Sequence, residues 1–133
     1  MDDCIFCRIV AGELPSERID EDKYTVSFMD INPWTRGHAL VIPRNHSQDL
    51  LEVGDEDLHH TASTAKRLAA RMKERLGADG VNLLNACGEA AWQSVFHFHI
   101  HVIPRWNDDP LQLPVRPHPA DQDELAKVAA ELR

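Results

Sequence analysis

The sequence has little of what marks secreted, membrane-embedded or nucleic-acid-binding proteins. It holds three cysteines in 133 residues, and so small and odd a number does not suggest a disulfide framework. No apolar run approaches the length of a membrane span, and the first residues are acidic where a secretory signal has basic ones. Basic residues number 14 against 22 acidic ones, a net charge of −8 that disfavours duplex nucleic acid as a partner. We therefore expect a cytoplasmic protein without membrane or nucleic-acid partners.

What the chain does contain is enough apolar material for one hydrophobic core. Hydrophobic residues make up 43% of it, and neither a repeat nor a linker divides it, so a single domain is predicted. Two of the predicted strands are expected to end at Pro43 and Pro104, because proline cannot donate to a ladder. The predicted strands cover residues 24–29, 37–42, 81–85 and 95–103, and the short helices residues 4–11 and 121–132. This pattern predicts an α+β fold with a mainly antiparallel sheet.

The strongest periodic pattern predicts one long helix from Asp55 to Leu76. Acidic residues suit its first turn, basic residues its last, and Gly77 its end. Its apolar residues recur at steps of three and four and form one stripe, which we expect to face the sheet. The stripe consists of Leu58, Ala62, Ala65, Leu68, Met72 and Leu76.

Three histidines alternate with apolar residues in the last predicted strand. On a strand, His97, His99 and His101 share one face, with backbones about 6.6 Å apart from each to the next. Zinc holds each ligand nitrogen at about 2.0–2.1 Å. One ion therefore reaches all three only with difficulty, which disfavours a metal-dependent hydrolase built on them. A free imidazole can act as a general base or as a nucleophile toward phosphorus. Polar groups that could hold phosphate oxygens stand nearby: Asn85, Gln93 and Ser94.

This stretch resembles the motif of a known family. Residues 93–102, Gln-Ser-Val-Phe-His-Phe-His-Ile-His-Val, are similar to the signature of the histidine-triad (HIT) superfamily of nucleotide hydrolases and transferases. Segments 4–10, 28–31, 37–38 and 41–44 resemble the family in order and spacing. The resemblance implies a HIT-like fold, with about five mainly antiparallel strands, one long helix and short terminal helices. It also implies one HIT domain over residues 1–133, with a core at about 4–105 and a proline-rich arm and short helix at 106–133.

The resemblance implies cleavage of AMP-linked phosphoramidates or phosphoanhydrides, or of similar GMP compounds. His99 would attack the α-phosphorus and form a nucleotidyl-histidine that water then hydrolyses, and His101 would stabilise charge on the phosphate. Asp30 would accept hydrogen bonds from the ribose. The implied phosphate contacts are Asn85 with Gln93 or Ser94. The implied base pocket is Phe6, Phe28 and Ile31 with Ile5 and Ile9, although core packing suits the last two better than contact with the base. A homodimer formed through the long helix and the adjacent strand is also implied.

Two other functions stay open at this point. One is a dinucleoside polyphosphate hydrolase or phosphorylase, and the other is a nucleotide-binding regulatory protein with incidental turnover. Trp92 bears on the choice, because many HIT proteins have glycine directly before the glutamine of the motif. We expect the tryptophan to narrow the pocket or to change the preferred leaving group.

Cys4 and Cys7 form a pair with two residues between them. This spacing suits tetrahedral zinc, a redox dithiol or two small buried residues. The chain resembles bacterial HIT proteins with such a pair, and this implies that His46 and His97 complete a closed, structural zinc site. No cofactor would then be required for the chemistry. The remaining cysteine and histidines are predicted to be structural or exposed: Cys87, His38, His59, His60 and His118.

Overall fold

A computed structural model of the protein describes residues 3–133, which form one sheet and three helices. The strands are β1 Arg18–Glu21, β2 Thr25–Met29, β3 Ala39–Pro43, β4 Gly80–Leu84 and β5 Ile100–Arg105, and the helices are α1 Ile5–Val10, α2 Asp55–Leu76 and α3 Gln122–Leu132. All strand pairs are antiparallel, in the order β1-β2-β3-β5-β4. The predicted α+β class and five-stranded antiparallel sheet are confirmed. None of the helices within residues 3–133 combines the length and hydrophobicity that a membrane crossing requires.

The long helix α2 begins and ends at the predicted residues. It stops because Gly77 adopts a left-handed conformation with φ 66°, which glycine tolerates without a steric cost. Ala65 in the predicted stripe is buried, whereas Ala62 is exposed. Thr61 is buried in its place, because its hydroxyl donates to the carbonyl of Asp57 and so needs no partner from the sheet.

Apolar side chains cover both faces of the sheet. Successive residues of a strand point to opposite faces, and β3 follows this rule. Ala39 and Val41 pack into the cluster beneath α2, whereas Leu40 and Ile42 pack into the cluster beneath α1. Phe6 of α1 belongs to the second cluster. The short N-terminal helix therefore closes the face of the sheet opposite α2.

The last predicted strand begins too far upstream, because β5 contains only the third histidine, His101. In the segment before it, the backbone N–H of Phe98 donates to the carbonyl of Ser47 in a loop and not to a strand. One strand through all three histidines is therefore wrong. The expected alternation is nevertheless present: Phe98, Ile100 and Val102 pack into the cluster beneath α2, whereas the rings of His97 and His99 lie against Phe6 of α1, with the ring of His101 beside that of His99. The expected stop at Pro104 is also wrong: β3 pairs with β5 only as far as Val102, so the proline meets no strand on that side.

The other departures lie at an edge and at a glycine. β1 was not predicted, because its sequence Arg-Ile-Asp-Glu is charged and only Ile19 is half-buried, as is common for a strand at a sheet edge. β3 begins at Ala39 and not at Gly37. Gly37 has a φ of 95° and lies so close to the side chains of Leu76 and Pro104 that a Cβ would collide with the former. The close approach of α2 and the turn therefore require glycine there.

Candidate functional site

A cavity of about 430 Å³ opens on the sheet face that carries α1. Phe6 and Phe28 form part of its wall and meet edge to face, with ring centroids 5.5 Å apart. Ile31 stands at its rim and is 89% exposed. Of the residues predicted for the site, those that line the cavity are Ile5, Phe6, Ile9, Phe28, Asp30, Ile31, Ser94, His99 and His101.

His99 is buried beside this cavity with one ring nitrogen bonded and the other free. Its Nδ1 lies 2.6 Å from the carbonyl oxygen of His97, an acceptor, so Nδ1 must carry the hydrogen. Nε2 then holds a lone pair and makes no hydrogen bond to the rest of residues 3–133. Burial lowers the pKa of His99, which keeps the ring neutral. A neutral imidazole with a free Nε2 can act as a nucleophile or as a general base.

A fourth histidine, His38, is part of the same hydrogen-bond network. It is fully buried, and its Nδ1 accepts a hydrogen bond from the backbone N–H of Trp34 at 3.0 Å. The hydrogen of the His38 ring must therefore be on Nε2, which donates to Nδ1 of His101 at 2.9 Å. His101 must in turn carry its own hydrogen on Nε2. Two consecutive hydrogen bonds thus fix His101 as a donor at Nε2.

The electrostatic surroundings keep these rings neutral. Burial lowers the pKa of His38, and burial with the neighbouring His99 and His38 lowers the pKa of His101 to about 4. The sequence prediction gave His38 a structural or exposed role and missed its contact with the triad. The one signal for it was the Gly37-His38 pair directly before an apolar strand, where a buried imidazole needs a polar partner.

The three residues predicted to contact phosphate differ in whether their polar groups already have hydrogen-bond partners. Asn85 donates from Nδ2 to the carbonyl of His99 at 2.9 Å, and its Oδ1 is buried without a partner among the described residues. Gln93 is buried, and its amide makes three hydrogen bonds to backbone groups. Ser94 is exposed and lines the cavity. Ser94 therefore offers a free hydroxyl, whereas Gln93 anchors the loop that presents it.

The four predicted metal ligands also come together. Nδ1 of His97 lies 3.5 Å from Sγ of both Cys4 and Cys7, and Nδ1 of His46 lies 3.3 Å from Sγ of Cys7. Around tetrahedral zinc, with Zn–S about 2.3 Å and Zn–N about 2.0–2.1 Å, neighbouring S and N atoms stand about 3.5 Å apart. His97 donates from Nε2 to the carbonyl of Pro43, which leaves the Nδ1 lone pair for a metal. The donor set and its spacing fit zinc.

A second group of ligand-type side chains, Asp30, His38 and His101, does not fit a metal. A metal at Nε2 of His38 would need a lone pair on that atom. The N–H of Trp34 occupies the lone pair of Nδ1, so Nε2 carries the hydrogen. Asp30 Oδ2 lies 3.5 Å from the same Nε2 and supports the hydrogen-bonded arrangement. This group is therefore a hydrogen-bond network.

Comparisons with known proteins agree with this geometry. The model of the HIT domain matches residues 11–108 of the chain. The chain belongs to the HIT family. Adenosine 5′-monophosphoramidase of Saccharomyces cerevisiae is 40% identical to this HIT protein over 130 residues, covering 97% of this chain and 80% of the yeast protein.

Solved structures of HIT proteins match nearly the whole chain. A structure from Streptococcus mutans UA159 superposes with a TM-score of 0.93 and 36% identity, covering 99% of this chain and 84% of the other. A zinc-bound histidine-triad protein from Mycobacterium smegmatis superposes with a TM-score of 0.81 and 40% identity, covering 98% of both chains. The HIT-like fold is thereby confirmed.

The backbone at Trp92 accounts for the glycine that many HIT proteins have at this position. Trp92 has a φ of 78°, and no other non-glycine residue within 3–133 has a positive φ. Such a conformation costs a non-glycine residue about 1–2 kcal/mol, and the ring is 65% exposed, so it gains little from packing. We expect Trp92→Gly to raise the free energy of unfolding by about 1 kcal/mol and Trp92→Val to lower it. Urea unfolding of both variants tests this, and a loss of stability with glycine would contradict it.

Proposed function

We propose that this HIT protein hydrolyses AMP-linked substrates, phosphoramidates foremost, through a covalent nucleotidyl-histidine. The observation that carries the proposal is the free Nε2 of His99 beside a cavity large enough for a nucleotide. The yeast relative named adenosine 5′-monophosphoramidase supports the choice of substrate. Binding of nucleotides without turnover would not require a neutral, buried imidazole with its Nδ1 hydrogen fixed by a carbonyl.

The reaction proceeds in two displacements at the α-phosphorus. In the first, Nε2 of His99 attacks, an N–P bond forms, and the bond from phosphorus to the leaving group breaks. The leaving group takes the electron pair and a proton from solvent, while Nε2–H of His101 donates a hydrogen bond to a phosphate oxygen and stabilises its charge. In the second, water attacks phosphorus, the N–P bond breaks, and the proton that water loses returns to solvent. Throughout both steps, Nδ1 of His99 keeps its hydrogen and donates a hydrogen bond to the carbonyl of His97.

The remaining predicted residues take positions around the nucleotide. Asp30 accepts from the ribose hydroxyls at the polar end of the cavity, and the hydroxyl of Ser94 donates to a phosphate oxygen. Asn85 and Gln93 act on the phosphate indirectly. Asn85 donates a hydrogen bond to the carbonyl of His99, and Gln93 fixes the loop that carries Ser94. The base is enclosed by apolar residues, namely Phe6, Phe28 and Ile31 with Ile5 and Ile9.

We further propose that Cys4, Cys7, His46 and His97 bind a structural zinc ion, as their spacing and the zinc-bound relative support. With four protein ligands, no position is open for substrate. We also propose a homodimer that includes pairing of β4 with the β4 of a second copy. β4 is an edge strand, its outer N–H and C=O groups have no partner strand within residues 3–133, and Leu83 on it is 50% exposed.

The test of the proposed activity compares two substrates. We expect rapid AMP release from adenosine 5′-phosphoramidate and much slower cleavage of diadenosine tetraphosphate. The second substrate must release a far larger leaving group from a cavity of about 430 Å³. Faster cleavage of the dinucleotide would favour a polyphosphate hydrolase or phosphorylase, and tight AMP binding without turnover of either would favour a binding protein.

Substituting His38 tests the proposed role of the hydrogen-bond network. We expect His38→Gln to lower kcat roughly 10- to 100-fold, because His101 loses the donor that fixes its hydrogen on Nε2. KM should change little, since His38 does not line the cavity. The control is His60→Gln in α2, which changes a histidine remote from this network. Unchanged kcat in a folded His38→Gln variant would contradict the role.

A further inference from the structure

The C-terminal helix α3 lies apart from the rest of the chain. None of its residues is buried, and Leu125, Val128 and Leu132 are 50%, 40% and 84% exposed. These three residues are spaced by three and four positions and form one apolar stripe. A helix of 11 residues is marginal in water without packing. The stripe therefore requires a surface that the chain's own core does not supply in this arrangement.

A groove of about 360 Å³ between α2 and the β1–β2 edge is such a surface. It lies on the α2 side of the sheet, away from the triad. Its floor is apolar and consists of Ile19, Met29, Leu68, Met72 and Leu76. Three arginines line its rim: Arg36, Arg71 and Arg75. Arg71 is paired with Asp20, whereas Arg36 and Arg75 form no ion pair with other residues of 3–133.

The helix and the groove match in length and in charge. From Leu68 to Leu76 the groove follows about 12 Å of α2, and from Leu125 to Leu132 the stripe spans about 10.5 Å of α3. The segment from 121 to 133 has four acidic residues against two basic ones, Lys127 and Arg133. An acidic amphipathic helix is thus complementary in charge and polarity to an apolar groove with free arginines at its rim.

We propose that α3 of one copy docks in this groove on a second copy of the chain. The start of the arm is fixed: Arg105 pairs with Asp109 at 2.8 Å, and Nε1 of Trp106 donates to the carbonyl of Gly77 at 3.0 Å. Past Asp109, 11 residues without helix or strand lead to Asp121 and span at most about 40 Å. When two copies exchange α3, the apolar stripes of both helices and the apolar floors of both grooves are covered in one symmetric dimer. The proposal does not rest on the catalytic chemistry.

Hydrogen exchange tests whether α3 is docked. We expect the amides of residues 125–132 to exchange at least about tenfold more slowly in the wild type than in the double variant Arg36→Glu/Arg75→Glu. Both arginines are exposed, so the variant should fold, and unchanged protection of the amides of β2 and β3 in the same experiment would verify this. The control is Lys66→Glu, the same charge reversal at an exposed position of α2 outside the groove. An unprotected α3 in the wild type, or equal protection in the double variant, would overturn the proposal.

A mixing experiment tests which copy supplies the helix. Chains labelled with ¹⁴N and ¹⁵N are mixed, unfolded and refolded together, and treated with a carbodiimide, which joins lysines to carboxylates at zero length. In chains carrying Arg75→Lys, which places a lysine at the groove rim, we expect mixed-isotope peptides that join position 75 of α2 to Glu124 or Glu131 of α3. Peptides of one isotope alone would place the helix in its own groove and overturn the exchange.

Discussion

Replacing His99 by alanine should lower AMP release from adenosine 5′-phosphoramidate by about 10³-fold or more. The side chain supplies the atom that would form the N–P bond, and removal of a nucleophile is among the most damaging changes in enzymes with covalent intermediates. The buried neutral ring offers the only Nε2 lone pair of the network within residues 3–133, because His38 and His101 carry hydrogens on theirs. No neighbouring histidine can therefore replace it.

The control for this prediction is His118→Ala, which removes an exposed histidine of the arm. Both variants should remain folded. The cavity at position 99 should lower the free energy of unfolding of His99→Ala by no more than about 1–2 kcal/mol, so the two urea midpoints should be similar. Mass spectrometry after rapid acid quench should detect an adenylylated chain in the wild type and none in His99→Ala. Full turnover by a folded His99→Ala variant would exclude the covalent mechanism.

Local patterns in the sequence were sufficient for some parts of the fold and not for others. The helix from Asp55 to Leu76 was predicted correctly, because its periodicity, its charges and the following glycine agree. β1 could not be found, since an exposed edge strand needs no apolar pattern. The start of β5 was misplaced because alternation was read as a strand. In the structure the rings of His97 and His99 instead donate hydrogen bonds to the carbonyls of Pro43 and His97.

The same limit applies to the site. The four proposed metal ligands were named from the sequence and the family it resembles, and they lie together in the structure. Of the predicted catalytic and substrate residues, all but Asn85 and Gln93 line the cavity. His38 was missed because its role depends on the N–H of Trp34, a backbone group that no motif contains. The contact of the Gln93 amide with the carbonyl of Gln48 likewise involves a loop distant in sequence. The division into a core of residues 4–105 and an arm of 106–133 stays a prediction.

Loss of the metal site is the second prediction with a large effect. We expect the wild type to contain one zinc ion per chain by atomic emission, and Cys7→Ser to contain less than about a tenth of that. The free energy of unfolding in urea should be lower in the variant by about 3 kcal/mol or more, because metal binding is coupled to folding. The site ties α1, with only six residues, to the loops that carry His46 and His97.

The consequence for catalysis should appear in KM more than in kcat. Phe6 lies against His97 and His99 with ring centroids 6.0 Å and 5.1 Å away, so release of α1 moves a wall of the nucleotide cavity. His99 itself should keep its hydrogen bond to the His97 carbonyl. Cys87→Ser is the matched control, since this cysteine lies outside the group of four, and it should keep both zinc and stability. A zinc-free wild type as stable as the loaded protein would show that the four residues hold no structural ion.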